Sequence, residues 1–361
     1  MKHLLKLSLV SVLALSLALP VSAKTATKVA VKAPVAKTTA KKTIKVVKVA
    51  PKKTATVAKA TAKKTVKVAK AAPKKTVQVA KAKAPVVRTV SYGRQYGLDS
   101  VYDPLSLHAS SAVVVDQNSW TTVYEKNART KLPIASITKL MTAMVTLDAG
   151  LDLNETIVID DEDAAHYRSS RLPVGTNLTR HDVLLLALMS SENRAAYALG
   201  RPYPRGIYAF VQAINAQAAM IHMHATLVDP SGLSSSNQAT AMDLAKMVNA
   251  ASQYRTIRQL STAESATVYT ASGRQLVYHN SDRLISRNMG WKIGMQKTGT
   301  LRAAGKCVVI QAVINGSPKI IVLLDSRDAN TRITDAVAIK DWLEAGGAGT
   351  ISSLRIISSD G

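Results

Sequence analysis

Cysteine occurs once in the 361 residues. Cys307 has no partner within the chain, so an internal disulfide is excluded and stability must come from burial. Acidic residues are missing from the whole N-terminal quarter; the first is Asp99. The apolar run at the N-terminus covers only 7–19, shorter than the ~20 residues that a membrane-spanning helix needs. There is no glycine-rich phosphate loop and no His-Glu-x-x-His. His222 and His224 stand two apart, which suits neither one face of a helix nor a metal pair. No metal and no other cofactor is expected.

What is present divides into four stretches. Residues 1–23 combine an early basic start (Lys2, Lys6), the 7–19 apolar run and the small residues Val21-Ser22-Ala23. That order predicts a secretory signal peptide cleaved near Ala23 rather than a membrane anchor. Residues 24–89 are almost entirely Lys, Ala, Val, Thr and Pro, a composition with no means of building a core. Lys-Lys-Thr recurs at Lys41, Lys52, Lys63 and Lys74, an eleven-residue repeat. Such a period can mark a supercoiled helix, but Pro51 and Pro73 interrupt it, and the prediction is a disordered, extended tether. Residues 90–345 are long enough for a large core or two lobes. The Gly/Ser-rich stretch 346–361 is expected to fray.

Of the formal charge of +25, two units fall in 1–23 and twenty in 24–88, so the remainder is close to neutral. Basicity belongs to the tether. It attracts polyanions by counterion release and would bind nucleic acid in a test tube. After export the expected partners are instead anionic lipid head groups, lipopolysaccharide phosphates or wall-peptide carboxylates, with no nucleic acid in vivo. A histone-like role would conflict with the export signal.

Within the body, 112–115 and 121–124 are β-rich runs around Asp116-Gln117-Asn118-Ser119, a predicted hairpin. Ile137, Leu140, Met141, Met144 and Val145 recur at helical spacing, with Ser136 at the start of that helix. Residues 150–262 read as mostly helical, with capping boxes at Thr179/Asp182 and Thr240/Asp243. Strands are predicted at 267–270, 275–278, 291–298, 306–313 and 320–324, and a closing helix at 331–343. The order β, α cluster, β, α implies an α/β (α+β) fold: an antiparallel sheet flanked by helices, with an inserted, mostly helical lobe. A cleft between the lobes is the expected place for a site. Nothing suggests an extended dimer seam, and a monomer is expected.

Three motifs carry chemistry: Ser136-Ile137-Thr138-Lys139, Ser191-Glu192-Asn193 and Lys297-Thr298-Gly299. A serine hydroxyl is a poor nucleophile until a neighbouring base takes its proton. Lys139, one helical turn on, is the candidate base, and burial together with a second cation, Lys297, would lower its pKa. Ser191 can relay a proton, and Asn193 can hold a peptide backbone. Lys297 to Gly299 on an edge strand would pair with an extended substrate, Thr298 donating to a carboxylate and Gly299 leaving room for close approach. The backbone N–H groups of Ser136 and Thr300 are assigned to the oxyanion. Each motif alone has an ordinary reading: a solvated lysine, a helix cap at Ser191 and Asn193, a strand end at Lys297. Arg332 at the start of the last helix reads as an ordinary exposed or capping arginine, with contact to a substrate carboxylate as the alternative. The ordered trio makes the ordinary readings jointly improbable.

Pro133-Ile134-Ala135-Ser136-Ile137-Thr138-Lys139-Leu140-Met141-Thr142-Ala143 resembles the nucleophile segment of low-molecular-mass penicillin-binding proteins, the D-alanyl-D-alanine peptidases. The likeness runs over about residues 106–343. Within that group, Ser190-Ser191-Glu192-Asn193-Arg194, Asp229-Pro230-Ser231-Gly232-Leu233-Ser234 and Gln296-Lys297-Thr298-Gly299 resemble the endopeptidase branch. Carboxypeptidases of the group usually place Asp-Gly before Lys-Thr-Gly and His after it; here the flanks are Met295-Gln296 and Thr300-Leu301. Thr300 departs from the aromatic residue frequent in the endopeptidases, although the backbone N–H role does not depend on that side chain.

The resemblance implies a penicillin-binding-protein or serine β-lactamase-like fold, with no extra C-terminal domain of the carboxypeptidase kind. It implies a periplasmic serine peptidase that cuts D-alanyl cross-links between peptidoglycan stem peptides and is acylated by β-lactams. Carried over, Ser136 is nucleophile, Lys139 base and Ser191 relay, with Asn193, Lys297, Thr298, Gly299 and Thr300 binding substrate. A carboxypeptidase trimming pentapeptides is the alternative, and a non-catalytic wall-binding protein the rival from another class. Glu192, at the middle of its motif, is expected to point away from the acyl-enzyme, unlike a β-lactamase's deacylating carboxylate.

Overall fold

The computed structural model describes residues 90–167 and 169–347. The signal segment, the tether and most of the C-terminal stretch lie outside the described residues. Among the described residues no helix is long and apolar enough to cross a membrane.

A short helix, α1 (Tyr92–Gln95), leads to the predicted hairpin, β1 (Ser111–Asp116) and β2 (Thr122–Lys126). After β3 (Leu132–Pro133) comes a 3-10 turn, Ala135–Thr138, running into α2 (Lys139–Asp148). The α-helix thus starts three residues later than the apolar spacing suggests, and Ser136 sits in the tighter turn. The middle of the chain supplies β4 (Thr156–Val158), α3 (Asp161–His166), β5 (Asn177–Thr179), α4 (Arg180–Met189), α5 (Asn193–Gly200), α6 (Gly206–Met220), β6 (Gln238–Ala239), α7 (Ala241–Ala251) and α8 (Arg255–Thr262). The hairpin β7 (Ser265–Tyr269) and β8 (Gln275–His279) and the short α9 (Arg283–Ser286) precede three long strands, β9 (Lys292–Leu301), β10 (Gly305–Ile314) and β11 (Ser317–Ser326). The last helix is α10 (Ala329–Glu344).

Capping chemistry sets several boundaries. Thr240 and Asp243 form a reciprocal capping box at α7, as their spacing predicts. At α4 only half of the box forms: the Thr179 hydroxyl accepts from Asp182 N, and no return bond is made. Asp328 caps α10 through both Asn330 N and Thr331 N.

The three long strands β9, β10 and β11 and the β1–β2 hairpin form one antiparallel sheet in the order β2-β1-β11-β10-β9, which leaves β9 at an edge. Side chains alternate across it. Val113, Val115, Val309, Val322 and Leu324 face a large core shared with α2, α4, α5, α7 and α8. Ala112, Val114, Val308, Ile310, Ile321 and Leu323 face the opposite way, onto Ala336, Ile339 and Leu343 of α10. The register Val114↔Ile321 and Val113↔Val322 keeps each set on its own side. The sheet is therefore a layer between α10 and the helical insertion, as the element order implies. Its edge strand β9 lies against the 3-10 turn that carries Ser136.

Candidate active site

Local backbone geometry positions the serine. Ala135 has φ +48°, left-handed and strained for alanine, which turns the chain sharply between β3 and the 3-10 turn. The loop at Asp229 braces this bend. Asp229 Oδ1 accepts from Ser231 N at 2.8 Å, Ser231 Oγ at 2.7 Å and Gly232 N at 2.7 Å, while Oδ2 accepts from Ser234 N at 2.9 Å. Asn237 Nδ2 donates to Asp229 O at 2.8 Å and to Thr138 Oγ1 at 3.0 Å, tying loop and turn together. A substrate-sized groove of about 400 Å³ opens beside them, lined by Ser136, Tyr167, Ser191, Asn193, Thr298 and Arg332 among others.

Lys139 lies beneath the serine with no exposure to solvent. Its Nζ contacts Ser136 Oγ at 2.8 Å, Asn193 Oδ1 at 2.6 Å and the Ser231 carbonyl at 2.7 Å. Burial lowers its pKa to about 7, against the opposing pull of the Asp229 and Glu192 carboxylates. The neutral amine has two N–H donors and one lone pair. The Asn193 amide oxygen and the Ser231 carbonyl can only accept, so they hold the two N–H groups. Ser136 is the one contact able to donate, and the lone pair is left facing its hydroxyl. The arrangement can therefore take a proton from Ser136 in one defined direction.

Lys297 is also fully buried, and its Nζ donates to the Thr298 carbonyl at 2.9 Å. Burial first, then the charges of Lys139 and Arg332, push it well below the ordinary lysine value, with Asp282 opposing. The expected effect of one lysine on the other falls on Lys297, whereas Lys139 is depressed by burial. Thr298 Oγ1 pairs with Ser281 Oγ at 2.7 Å on the groove wall. Thr300 lines the same groove on the exposed end of β9, where its hydroxyl lies 3.5 Å from Lys306 Nζ.

Gly299 has a different neighbour from the one its sequence context suggests. A β-carbon there would meet the Ile134 carbonyl at 3.0 Å, Ala135 Cβ at 3.2 Å and Cys307 Cβ at 3.3 Å. The close approach is to the nucleophile's own turn, which lets the edge strand lie against it.

Ser191 has φ +62°, and its hydroxyl has no hydrogen-bond partner among the described residues. It faces the groove, whereas the capping of α5 falls to Glu192, whose side chain accepts from Arg194 N. Glu192 Oε1 also accepts from Ser170 Oγ at 2.6 Å.

Arg332 overturns the expectation of an exposed residue. It is 5% exposed, donates to the Cys307 carbonyl at 3.1 Å and forms part of the groove with Arg283. Burial lowers its pKa, opposed by Asp282. The groove lining contains two arginines and no acidic side chain, a setting that favours a carboxylate-bearing ligand. Sequence reasoning also gave no role to Asp229, the Ser231 carbonyl, Asn237 or Tyr167. The Asp-Pro-Ser-Gly run was the available signal, since an Asp before a Gly in the left-handed region marks a side-chain-braced turn. A larger cavity of about 630 Å³ lies on the other side of that loop but contains neither Ser136 nor Asn193 in its lining.

Comparison with known proteins follows the same lines. A family model described as D-alanyl-D-alanine carboxypeptidase matches residues 99–328. Over 244 residues the chain is 44% identical to the D-alanyl-D-alanine endopeptidase of Pseudomonas aeruginosa, covering 66% of this chain and 78% of that protein. Over 242 residues it is 41% identical to the D-alanyl-D-alanine endopeptidase of Escherichia coli, with the same two coverages, 66% and 78%. The crystal structure of the Streptomyces K15 DD-transpeptidase superposes with a TM-score of 0.61 at 27% identity, covering 67% of this chain and 98% of that one.

Proposed function

This chain belongs to the D-alanyl-D-alanine carboxypeptidase family of serine peptidases, and from that premise we propose that it is a DD-endopeptidase, cutting D-alanyl cross-links of peptidoglycan through an acyl-enzyme on Ser136. The observation that carries the reading is the setting of Lys139, whose neutral amine has only one proton donor in reach, the Ser136 hydroxyl.

Ser136 Oγ attacks the carbonyl carbon of the D-alanyl residue as its proton passes to Lys139 Nζ. The oxyanion sits between the backbone N–H groups of Ser136 and Thr300. The carbon–nitrogen bond then breaks. The amine of the second strand leaves with the proton held by Lys139, relayed by Ser191, and an ester remains on Ser136. Water attacks that ester, with Lys139 again as base, releasing the acid and restoring the hydroxyl. Asn193 and the β9 edge hold the peptide backbone, while Thr298 and Arg332 supply a positive, donor-rich wall for a carboxylate, with Lys297 buried behind Thr298 and donating to its carbonyl. β-Lactams are taken as acylating analogues of the same peptides.

The endopeptidase branch is supported by the two relatives above 40% identity and by the Gln296 and Thr300 flanks of the third motif. We place the enzyme in the periplasm, exported by residues 1–23 and acting as a monomer. Residues 24–89 hold it against anionic wall or membrane surfaces, an attraction that deletion of those residues should abolish in a sedimentation assay with isolated envelopes. Incubation with a cross-linked muropeptide dimer should yield monomers while a pentapeptide monomer keeps its terminal alanine, and Ser136→Ala should leave both substrates intact. Loss of alanine from the pentapeptide with the dimer intact would make the enzyme a carboxypeptidase.

A further inference from the structure

The link between β8 and α9, Asn280-Ser281-Asp282, has no part in the acyl-transfer steps, yet it joins the strand of the third motif to the turn of the second. Asn280 is buried, and its Nδ2 donates to two backbone carbonyls, Ser261 O at 2.9 Å and Ala263 O at 2.8 Å. Its Oδ1 accepts from Gln296 Nε2 of β9 at 3.0 Å and from Asp282 N at 2.9 Å. The next residue, Ser281, donates its backbone N–H at 2.9 Å to the carbonyl of Met189, two residues before Ser191. The Ser281 hydroxyl meets Thr298 Oγ1 at 2.7 Å. Gln296 and Thr298 share a face of β9, because side chains alternate along a strand. Two adjacent link residues therefore grip two successive positions on that face.

Both Ser281 and Thr298 line the groove, and neither hydroxyl has another side-chain partner among the described residues. The hydrogen bond between them can run in either of two directions. If Thr298 donates to Ser281, only lone pairs of Thr298 face the groove, and these repel a carboxylate, which can only accept. If Ser281 donates, the Thr298 proton is free for the ligand, and the first bond polarises the second. We propose that Ser281 is a positioning residue for ligand capture: its hydroxyl donates to Thr298 Oγ1 and so turns the Thr298 O–H toward the ligand carboxylate. Ser281 does not touch the reacting bond; it acts through Thr298. The Asn280 and Met189 contacts serve this role by holding the Ser281 backbone at a fixed distance from β9. The inference rests on the carboxylate-bearing ligand read above and adds a residue outside the three motifs to its capture.

The test uses the full chain, unaltered and as Ser281→Ala, Ser281→Thr, Thr298→Val and the double variant Ser281→Ala/Thr298→Val. Acylation by benzylpenicillin is followed over a range of concentrations, which separates the apparent dissociation constant from the limiting rate, and is repeated with benzylpenicillin methyl ester. Ser281→Ala should raise the dissociation constant for the acid by roughly three- to ten-fold, the size of one hydrogen bond. Its limiting rate should stay within about two-fold of the unaltered chain, the mark of a residue that acts on binding and not on the chemical step. Ser281→Thr keeps the hydroxyl and should restore capture of the acid. On the methyl ester, Ser281→Ala and the unaltered chain should agree within about two-fold, since no carboxylate is left to orient toward. In the Thr298→Val background Ser281→Ala should add nothing, because the hydroxyl it orients is gone. An unchanged dissociation constant in Ser281→Ala, an equal loss on acid and ester, or a loss that simply adds to that of Thr298→Val would overturn the role of Ser281. Absence of penicillin acylation in the unaltered chain would overturn the reading beneath it, and the positioning role with it.

Discussion

Gly232 lies so close to Ala135 that a β-carbon on the glycine would stand 1.9 Å from the Ala135 carbonyl oxygen and 2.9 Å from Ser136 N. Gly232 also has φ +79°, so two separate constraints exclude a side chain. The contact locks the loop that supplies the Ser231 carbonyl onto the turn that supplies the nucleophile. Gly232→Ala should therefore displace one from the other. We expect a loss of about 2–4 kcal/mol in stability and a fall of at least about 100-fold in acylation, read by denaturant unfolding and by stopped-flow acylation with a chromogenic cephalosporin.

Asn193 offers a second way to disturb the lysine. In Asn193→Asp a carboxylate replaces the amide oxygen 2.6 Å from Lys139 Nζ. Negative charge favours the ammonium, so the lysine pKa rises and less free base exists at pH 7. Acylation at pH 7 should drop by about ten-fold or more and recover on raising the pH. Asn193→Ala should lose activity without that recovery. Acylation rates at pH 7 and pH 9.5 for the two variants separate the cases.

For Arg332 the expected loss is in binding. Its buried guanidinium lines a groove without acidic side chains. Arg332→Gln should weaken capture of carboxylate-bearing ligands by about 1.5–3 kcal/mol, seen mainly as a higher KM. The same ligand with its carboxyl group blocked as a methyl ester should show little difference between the two proteins.

Burial of Lys139 also makes stability depend on pH. Its folded pKa of about 7 is below its ordinary value of 10.5. Between these values the unfolded chain binds the proton and the folded chain does not, so stability rises with pH across that window. From pH 7 to 8.5 Lys139 alone should contribute about 1.5 kcal/mol. The Cys307 thiol, held up to about 12 by burial in the fold, begins to ionise in the unfolded chain near the upper limit and offsets a small part of the gain. Lys139→Met should reduce the dependence by that contribution, leaving the part that the buried Lys297 adds in the same direction, as measured by urea midpoints at the two pH values.

Much of this was legible in the residues because local rules governed it. The β1–β2 hairpin, the α7 capping box and the long edge strand each follow from nearby sequence. The meeting of Ser136 and Lys139 follows from their three-residue spacing on a helical turn. Contacts decided by tertiary approach were not legible. Arg332 looks like any arginine in the first turn of a helix, and only the packing of α10 over β10 buries it against the Cys307 carbonyl. The two-residue pairing of β3 with β6 has no periodicity to reveal it. The lysine's third contact is a backbone carbonyl, Ser231, on a loop 92 residues away, and a backbone atom leaves no trace in residue type.

The central claim is that Lys139, neutral near physiological pH, removes the Ser136 proton. The measurement that tests it most directly is the pH dependence of the second-order rate of Ser136 acylation by benzylpenicillin in the unaltered chain, from pH 5.5 to 9. The account predicts a rise through one titration near pH 7, followed by a plateau. A rate still climbing steeply at pH 9 would mean that Lys139 remains an ammonium in the folded enzyme. A flat profile across the whole range would mean that some other group accepts the proton; either result would contradict the account.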